Sequence, residues 1–422
     1  MSWSNALIED VCLIKGGKRL PAGHDLTDKI TDHPYIRARD IREGKINFTN
    51  PKYITEETHQ KISSYVVKEG DVIITIVGAN IGDIAYIPQE FDGANLTENA
   101  VKLTAKQKVL HPLFLKFALL PAHAKEYMQI VASGAAQGKL GLYKIKKLSI
   151  PFPPLPIQKK IAGILSAYDD LIETNLKRIK LLEEMAQITY EEWFVRLRFP
   201  NHESTPINPE TALPEGWKKK ENGDCCEVSG GGTPSREVPK YWECGDIKWF
   251  SPTDLTKSNS LCLLDSSDKI TELGLKKSSA KIMGSHTFMM TSRATIGLFG
   301  LIDAGYSTNQ GFINVTPLKA THKYYLLFNF KYRVDEFIGH ATGATFPEIS
   351  KSKFKKLKIV WPSENLISDF DRYCSPIISE MMNLAKQNIR LREARDILMP
   401  RLMTGVIDVE SYHPALLLKE AA

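Results

Sequence analysis

A chain of 422 residues and 47.4 kDa is too long for one ordinary hydrophobic core, so two or three domains are expected. Apolar residues at 43% and charged residues at 25% match soluble globular chains and exclude disordered, collagen-like and membrane-spanning classes. Lys and Arg number 55 against 49 Asp and Glu, and the net charge of +6 permits a polyanionic partner without requiring one.

The opening Met1-Ser2-Trp3-Ser4-Asn5 has no basic-then-apolar leader, and no run of about 18 apolar residues follows, so a cytoplasmic protein without a membrane partner is expected. The six cysteines (Cys12, Cys225, Cys226, Cys244, Cys262 and Cys374) never fall as CxxC and lack a histidine at ligand spacing. Reduced, mostly buried thiols are expected, with no zinc site and no disulfide framework.

In chain order the first unit carries Trp3, Asp10, Gly16-Gly17 and Asp40-Ile41, a strand-like run Val72 to Val77, the turn Ala79-Asn80-Ile81-Gly82 and a short helix near Leu113 to Leu120. The same landmarks return roughly 210 residues later, a period far longer than a solenoid repeat and therefore a duplicated domain with its connector. Trp217, Asp224, Gly230-Gly231, Asp254-Leu255, a run Thr287 to Met290, Ala294-Thr295-Ile296-Gly297 and a helix near Tyr324 to Tyr332 fill the second copy. His111, Leu115 and Phe117 match His322, Leu326 and Phe328, and Ser133-Gly134-Ala135 matches Thr342-Gly343-Ala344. Each unit ends in prolines (Pro151, Pro153, Pro154 and Pro156 in one, Pro362 in the other), which stop the preceding element.

A long helix is expected after each proline break. Ile161, Leu165, Tyr168, Ile172, Asn175, Ile179, Leu182 and Ala186 alternate spacings of four and three, a heptad seam. Ile367, Phe370, Cys374, Ile377, Met381, Leu384, Asn388, Leu391 and Leu398 repeat it, with Arg395 as the exception. One asparagine in each seam, Asn175 and Asn388, predicts that the two helices pair with each other, because a polar seam residue fixes register. Two amphipathic helices on separate cores are the alternative. A helix over 157–198 would span about 63 Å at roughly 1.5 Å per residue.

The usual catalytic signatures fail. Gly134-Ala135-Ala136-Gln137-Gly138-Lys139-Leu140 lacks the spacing and the Ser or Thr of a phosphate loop and reads as a turn. Gly230-Gly231-Gly232 runs on into Thr233-Pro234-Ser235 and does not open a helix. Asp40 with Glu43-Gly44-Lys45 has the look of a hairpin turn more than of a nuclease site, which needs several convergent carboxylates. No S-adenosylmethionine-binding glycine motif and no Asn-Pro-Pro-aromatic segment is present.

Basic and amide side chains recur on the loops. Lys15, Lys18, Arg19, Arg37, Arg39 and Asn80 in the first unit, and Arg236, Lys248, Arg293, Thr295, Asn309 and Gln310 in the second, are of the types that contact base edges. Lys144, Lys146 and Lys147, and Lys353, Lys355 and Lys356, suit phosphate contacts, although charge runs are also ordinary solvated faces.

Four segments then carry a family resemblance: Pro151-Phe152-Pro153-Pro154-Leu155-Pro156-Ile157-Gln158, Tyr190-Glu191-Glu192-Trp193-Phe194-Val195, Leu213-Pro214-Glu215-Gly216-Trp217, and Ala394 to Gly405 with its Leu398-Met399-Pro400-Arg401-Leu402 core. The chain resembles the specificity subunits of type I restriction-modification systems over nearly its whole length. The resemblance implies an α/β fold of two tandem, pseudo-symmetric target-recognition domains (1–156 and 199–362) held apart by two long antiparallel coiled-coil helices (157–198 and 363–408), with a tail at 409–422. It implies that each domain reads half of a bipartite double-stranded DNA site. Two methyltransferase subunits and restriction subunits would supply adenine methylation and cleavage, using S-adenosylmethionine, ATP and Mg, with no cofactor, metal or catalytic residue in this chain. Tyr190, Trp193, Phe194, Leu398, Pro400 and Leu402 are the expected partner-docking residues, although Trp193 and Phe194 could instead close the bottom of a domain. Pro362-Ser363-Glu364-Asn365 departs from the proline-rich junction, which leaves the start of the second helix open. A duplicated two-lobed nuclease or other DNA-modifying enzyme with its own active site is the rival reading, weakened by the lack of any carboxylate, His or Cys constellation matched in both copies. A bivalent protein-binding adaptor would have no DNA affinity.

Overall fold

The computed structural model describes residues 3–133, 138–258, 260–343 and 347–410, so most of the turn expected at 134–140 and the tail beyond 410 lie outside the described residues. Two compact units form: one holds the chain up to Leu171 and again from Leu391, and the other is Ile172–Arg390. Both contain the same α/β domain.

In the first unit a four-stranded antiparallel sheet has the order Cys12–Gly16, Ala100–Ala105, Val72–Thr75, Ile84–Tyr86. The second repeats it as Cys226–Ser229, Phe312–Pro317, Phe288–Thr291, Phe299–Gly300. The strands Val72–Thr75 and Phe288–Thr291 are buried at every position because both faces are covered. With the two-residue strand period, Val72 and Ile74 join the core under the helix Pro112–Leu119, while Ile73 faces a second cluster with Ile36, Ile41 and Val67. Likewise Phe288 and Met290 pack with Leu326 and Phe330 of the helix Lys323–Tyr332, and Met289 packs with Phe250 and Tyr306.

A smaller parallel pairing supports the loop ends: Tyr35–Ile36 beside Asn95–Leu96, and Trp249–Phe250 beside Ser307–Thr308. The hairpin expected at Glu43-Gly44 is present, with φ of 50° and 76° between strands Ile41–Arg42 and Lys45–Ile46. Each domain is closed by pairing its first strand with its last, Asn5–Leu7 with Ser149–Pro151 and Lys218–Glu221 with Lys358–Trp361. Both long helices therefore leave their domain where that domain began.

The first long helix is Leu155–Tyr190, continued by one π-helical turn over Glu191–Val195, and the second is Glu364–Met403. The first is shorter than expected at its C-terminal end: the wider turn redirects the chain, and Leu197 takes a φ of 58°. In the second unit the helices run antiparallel. Asn175 Nδ2 donates to Asn388 Oδ1 at 3.0 Å, Arg178 pairs with Glu380 at 2.9 Å and Thr189 Oγ1 donates to the Tyr373 hydroxyl at 3.0 Å. Both asparagines are buried, so the predicted seam pair exists and satisfies itself. In the first unit the seam exception is explained. Arg395 Nη1 and Lys116 Nζ each donate to Asp169 at 2.5 Å, forming a triad between both helices and the domain helix in which Lys116 and Asp169 are buried. Burial alone would raise the Asp169 carboxyl, but the Lys116 and Arg395 charges outweigh it and hold it below its ordinary range.

The two helices start by different means. Gln158 caps the first junction: its Nε2 donates to the carbonyls of Val109 and Pro153, and its Oε1 accepts from His111 N. At the second, Ser363 Oγ accepts from Leu366 N in place of the prolines, and Glu364 gathers Lys319 Nζ at 2.7 Å, His322 Nε2 at 2.9 Å and Trp361 Nε1 at 3.2 Å. The Lys319 ammonium, aided by His322 and Trp361, lowers the Glu364 carboxyl to about 2 against the opposing effect of desolvation. A carboxyl depressed in the folded state stabilises above its unfolded value near 4.5 and loses that contribution as pH falls towards about 2. Wild type should therefore lose more stability than Glu364→Gln across that window in urea melts, and parallel curves would refute the role.

Candidate nucleic-acid interface

In both domains one glycine sets the loop end. A side chain on Gly17 would meet Thr97 O at 2.0 Å, and one on Gly231 would meet Thr308 O at 2.0 Å, so only glycine lets the loop lie this close. Equivalent backbone bonds follow, Lys18 N to Leu96 O and Gly232 N to Thr308 O, each 2.9 Å. Ile76 N donates to Asn99 O and Ser292 N to Gly311 O, which brings the turn after the central strand to the same end. Leu140 N donates to Ile76 O, and Ile349 N to Ser292 O, adding the last loop.

This arrangement gathers Lys18, Arg19 and Asn80 in the first unit and Arg293, Thr295, Asn309 and Gln310 in the second. The backbone scaffold is shared, whereas the side chains on it differ. Arg19 Nε donates to Glu98 Oε1 at 2.9 Å, whereas Thr233 Oγ1 donates to Gln310 Oε1 at 2.6 Å. Asn309 Oδ1 accepts from Gly311 N. Arg293 and Thr295 are exposed, with Arg293 4.0 Å from Glu348. Lys15 and Lys18 lie 5.0 and 5.5 Å from the Tyr65 ring centre, and Lys15 also donates to Ser64 O. Arg39, Lys146, Lys147, Lys353, Lys355 and Lys356 are exposed.

Three of the expected DNA-binding residues make contacts within the chain. Arg37 is a bracket: its guanidinium grips both Asp40 oxygens at 2.8 Å and the Asn50 carbonyl, with 14% of the side chain exposed. Lys144 donates to Val131 O at 2.6 Å, near the C-terminal end of the helix Ala122–Ala132, and Lys248 donates to Leu264 O at 2.5 Å. These donors serve the fold. A feature not anticipated from sequence is an open cleft of about 610 Å³ lined by Ser229, Gly230, Lys281, Ser350, Lys351, Ser352 and Lys355. Lys281 comes from one segment and Lys351 and Lys355 from the helix Lys351–Lys356, so only folding brings the three together. Among the described residues no carboxylate lines the cleft, an environment that favours an anion such as a phosphate.

The docking set also changes. Tyr190 and Phe194 are buried in the second core against Tyr325 and Phe370, with Asn329 Nδ2 donating to the Tyr190 hydroxyl at 2.7 Å. Leu402 is buried in the first core. All three side chains pack within the domain cores. Trp193 and Leu398 are half-buried against the same cores, and Pro400 is exposed. Leu181, Met185 and Ile188 are exposed by 63, 42 and 57% at a spacing of four and three, an outward apolar stripe overlooked because only the inward seam was read.

Five cysteines are buried and Cys244 is exposed. Among the described residues no group of three or more His, Cys, Asp and Glu is placed to hold a metal ion, and no helix is long and apolar enough to cross a membrane.

A duplicated α/β scaffold with differing polar side chains on its loop ends defines a modular recognition protein. The chain belongs to the type I restriction-modification DNA specificity family, whose domain description matches residues 2–184 and again 214–367. The MjaIX specificity subunit of Methanocaldococcus jannaschii is 25% identical over 95% of this chain and 94% of its own length. The HindI specificity subunit of Haemophilus influenzae is 21% identical over 81% of this chain and 87% of its own. The crystal structure of a type I S subunit from M. genitalium shares the fold, with a TM-score of 0.57, 15% identity and 96% of both chains covered.

Two outcomes are expected. Phe194→Ala should cost about 3–5 kcal/mol in denaturant melts, the scale for removing a buried aromatic. An unchanged melt would refute its role in the core. Replacing Lys281, Lys351 and Lys355 together by Ala should reduce the slope of log affinity against log salt for duplex DNA by about 0.9 for each phosphate that is no longer neutralised. An unchanged slope would leave them solvated.

Proposed function

We propose that this chain selects DNA sequence for a modification and restriction assembly, each α/β domain reading one half of a bipartite duplex site through its loop end. The observation that carries this is the shared backbone scaffold with different side chains on it, Arg19 and Glu98 in one copy and Thr233 and Gln310 in the other. A common scaffold presents each loop alike, and different donors and acceptors select different base edges. Lysines such as Lys146, Lys147 and those of the second-domain cleft position the duplex through phosphates. Chemistry belongs to the partners: methyltransferase subunits carrying S-adenosylmethionine, and restriction subunits using ATP and Mg. The helix stripe Leu181, Met185 and Ile188 offers methyltransferase subunits an apolar face, with Trp193, Leu398 and Pro400 beside the domain cores.

Replacing residues 1–150 by the corresponding domain of a relative, followed by mapping of methylated adenines, should change one half of the methylated sequence and leave the other intact. A change in both halves would contradict independent reading.

A further inference from the structure

The loop that follows Gly230-Gly231 in the second domain is unusually well braced. Trp249, 3% exposed, donates from Nε1 to Gly232 O at 2.9 Å, and Trp242 donates from Nε1 to Ser235 O at 3.0 Å. The two indoles meet edge to face, 5.1 Å apart at 89°. On this platform lies Arg236. Its guanidinium carbon is 3.6 Å from the Trp242 ring centre and 5.2 Å from that of Trp249, and Nη2 donates to Asp268 Oδ2 at 2.5 Å. Asp268 is itself fixed by strand pairing directly opposite Trp249. Yet 54% of the Arg236 side chain remains exposed.

We infer that Arg236 reads a guanine in the half-site taken by the second α/β domain, an assignment that rests on that domain being a sequence-specific DNA reader. Guanine offers two acceptors, O6 and N7, on its major-groove edge, and the guanidinium fork matches them with two parallel N–H donors. Adenine places a donor beside N7 and so mismatches a group that has no acceptor. Asp268 is the one hydrogen-bond partner of the Arg236 side chain among the described residues, which leaves donors for a base. Contact with the Trp242 ring and the bond to Asp268 restrain the guanidinium beforehand, so less side-chain freedom is lost on binding. The Asp268 carboxylate also disfavours a phosphate at this position by like-charge repulsion, whereas a neutral base edge meets no such repulsion.

The test uses the full chain assembled with its methyltransferase partners, with methylated sequences mapped for wild type, Arg236→Ala, Arg236→Lys and Asp268→Asn. The half-site that stays intact when residues 1–150 are exchanged is the one the second domain reads. It should contain a guanine at which Arg236→Ala loses roughly 10- to 100-fold of its preference, with all other positions unchanged. Arg236→Lys keeps the charge without the fork and should lose the same preference while retaining DNA affinity. Asp268→Asn should relax the same position more weakly. An unchanged motif, relaxation at a base other than guanine, or uniform weakening with a salt slope smaller by about one would overturn the assignment. So would unfolding of both arginine variants in thermal melts, which would make the residue structural. Wild type methylating no defined sequence would instead bring down the reading of the domain, and this assignment with it.

Discussion

Neither α/β domain closes its core alone. The first core includes Ile157, Ile161 and Leu165 from the first long helix and Met399, Leu402 and Met403 from the second. The second includes Ala186, Tyr190 and Phe194 from the first and Ile367, Phe370 and Cys374 from the second. Each helix is therefore a shared structural member, amphipathic against its partner and apolar again where it enters a domain. Burial is roughly proportional to apolar area removed from water, so those end residues are held by the same force that folds the sheets. The buried polar groups specify which residues meet. Asn175 satisfies Asn388 in the second seam, and Asp169 satisfies Lys116 and Arg395 in the first unit. A slipped register would strand each of these groups without partners.

With the cores closed in this way, the loop ends are left to vary. Backbone bonds from three segments hold the end of each sheet in the same way, and Gly17 and Gly231 permit the closest approach. The side chains carry no structural duty in common: Arg19 faces Glu98 where Thr233 faces Gln310. Side chains with structural work are found a little further back, and Arg37 on Asp40 and Lys248 on Leu264 O belong there. Exposed donors such as Arg39 belong to the surface that can meet a partner.

Much of this architecture was legible from periodicity. The duplication, the strand-like runs at Val72 and Thr287 and the pairing of the seams each follow from spacing, because spacing decides which side chains share a face. The Glu43-Gly44 hairpin followed from turn chemistry alone. Composition alone does not decide which residues dock. An aromatic run at a helix end has the same composition whether it meets a partner or its own domain, and Tyr190, Phe194 and Leu402 face inward. The exposed stripe Leu181, Met185 and Ile188 has an equally regular period but lies on the face opposite the stronger seam.

What the sequence by itself determined was local and periodic: two copies of one domain, two seam helices, their mutual pairing and the family. Tertiary structure alone decided which charges are spent within the chain and which remain available. Arg37, Lys144 and Lys248 bind oxygens of their own fold, Lys281 joins Lys351 and Lys355 of a helix distant in sequence, and Arg236 lies over Trp242 with Asp268 beside it. The physical reason is that a long cationic side chain is defined by its nearest acceptor, and chain folding sets that distance whatever the residue's neighbours in sequence.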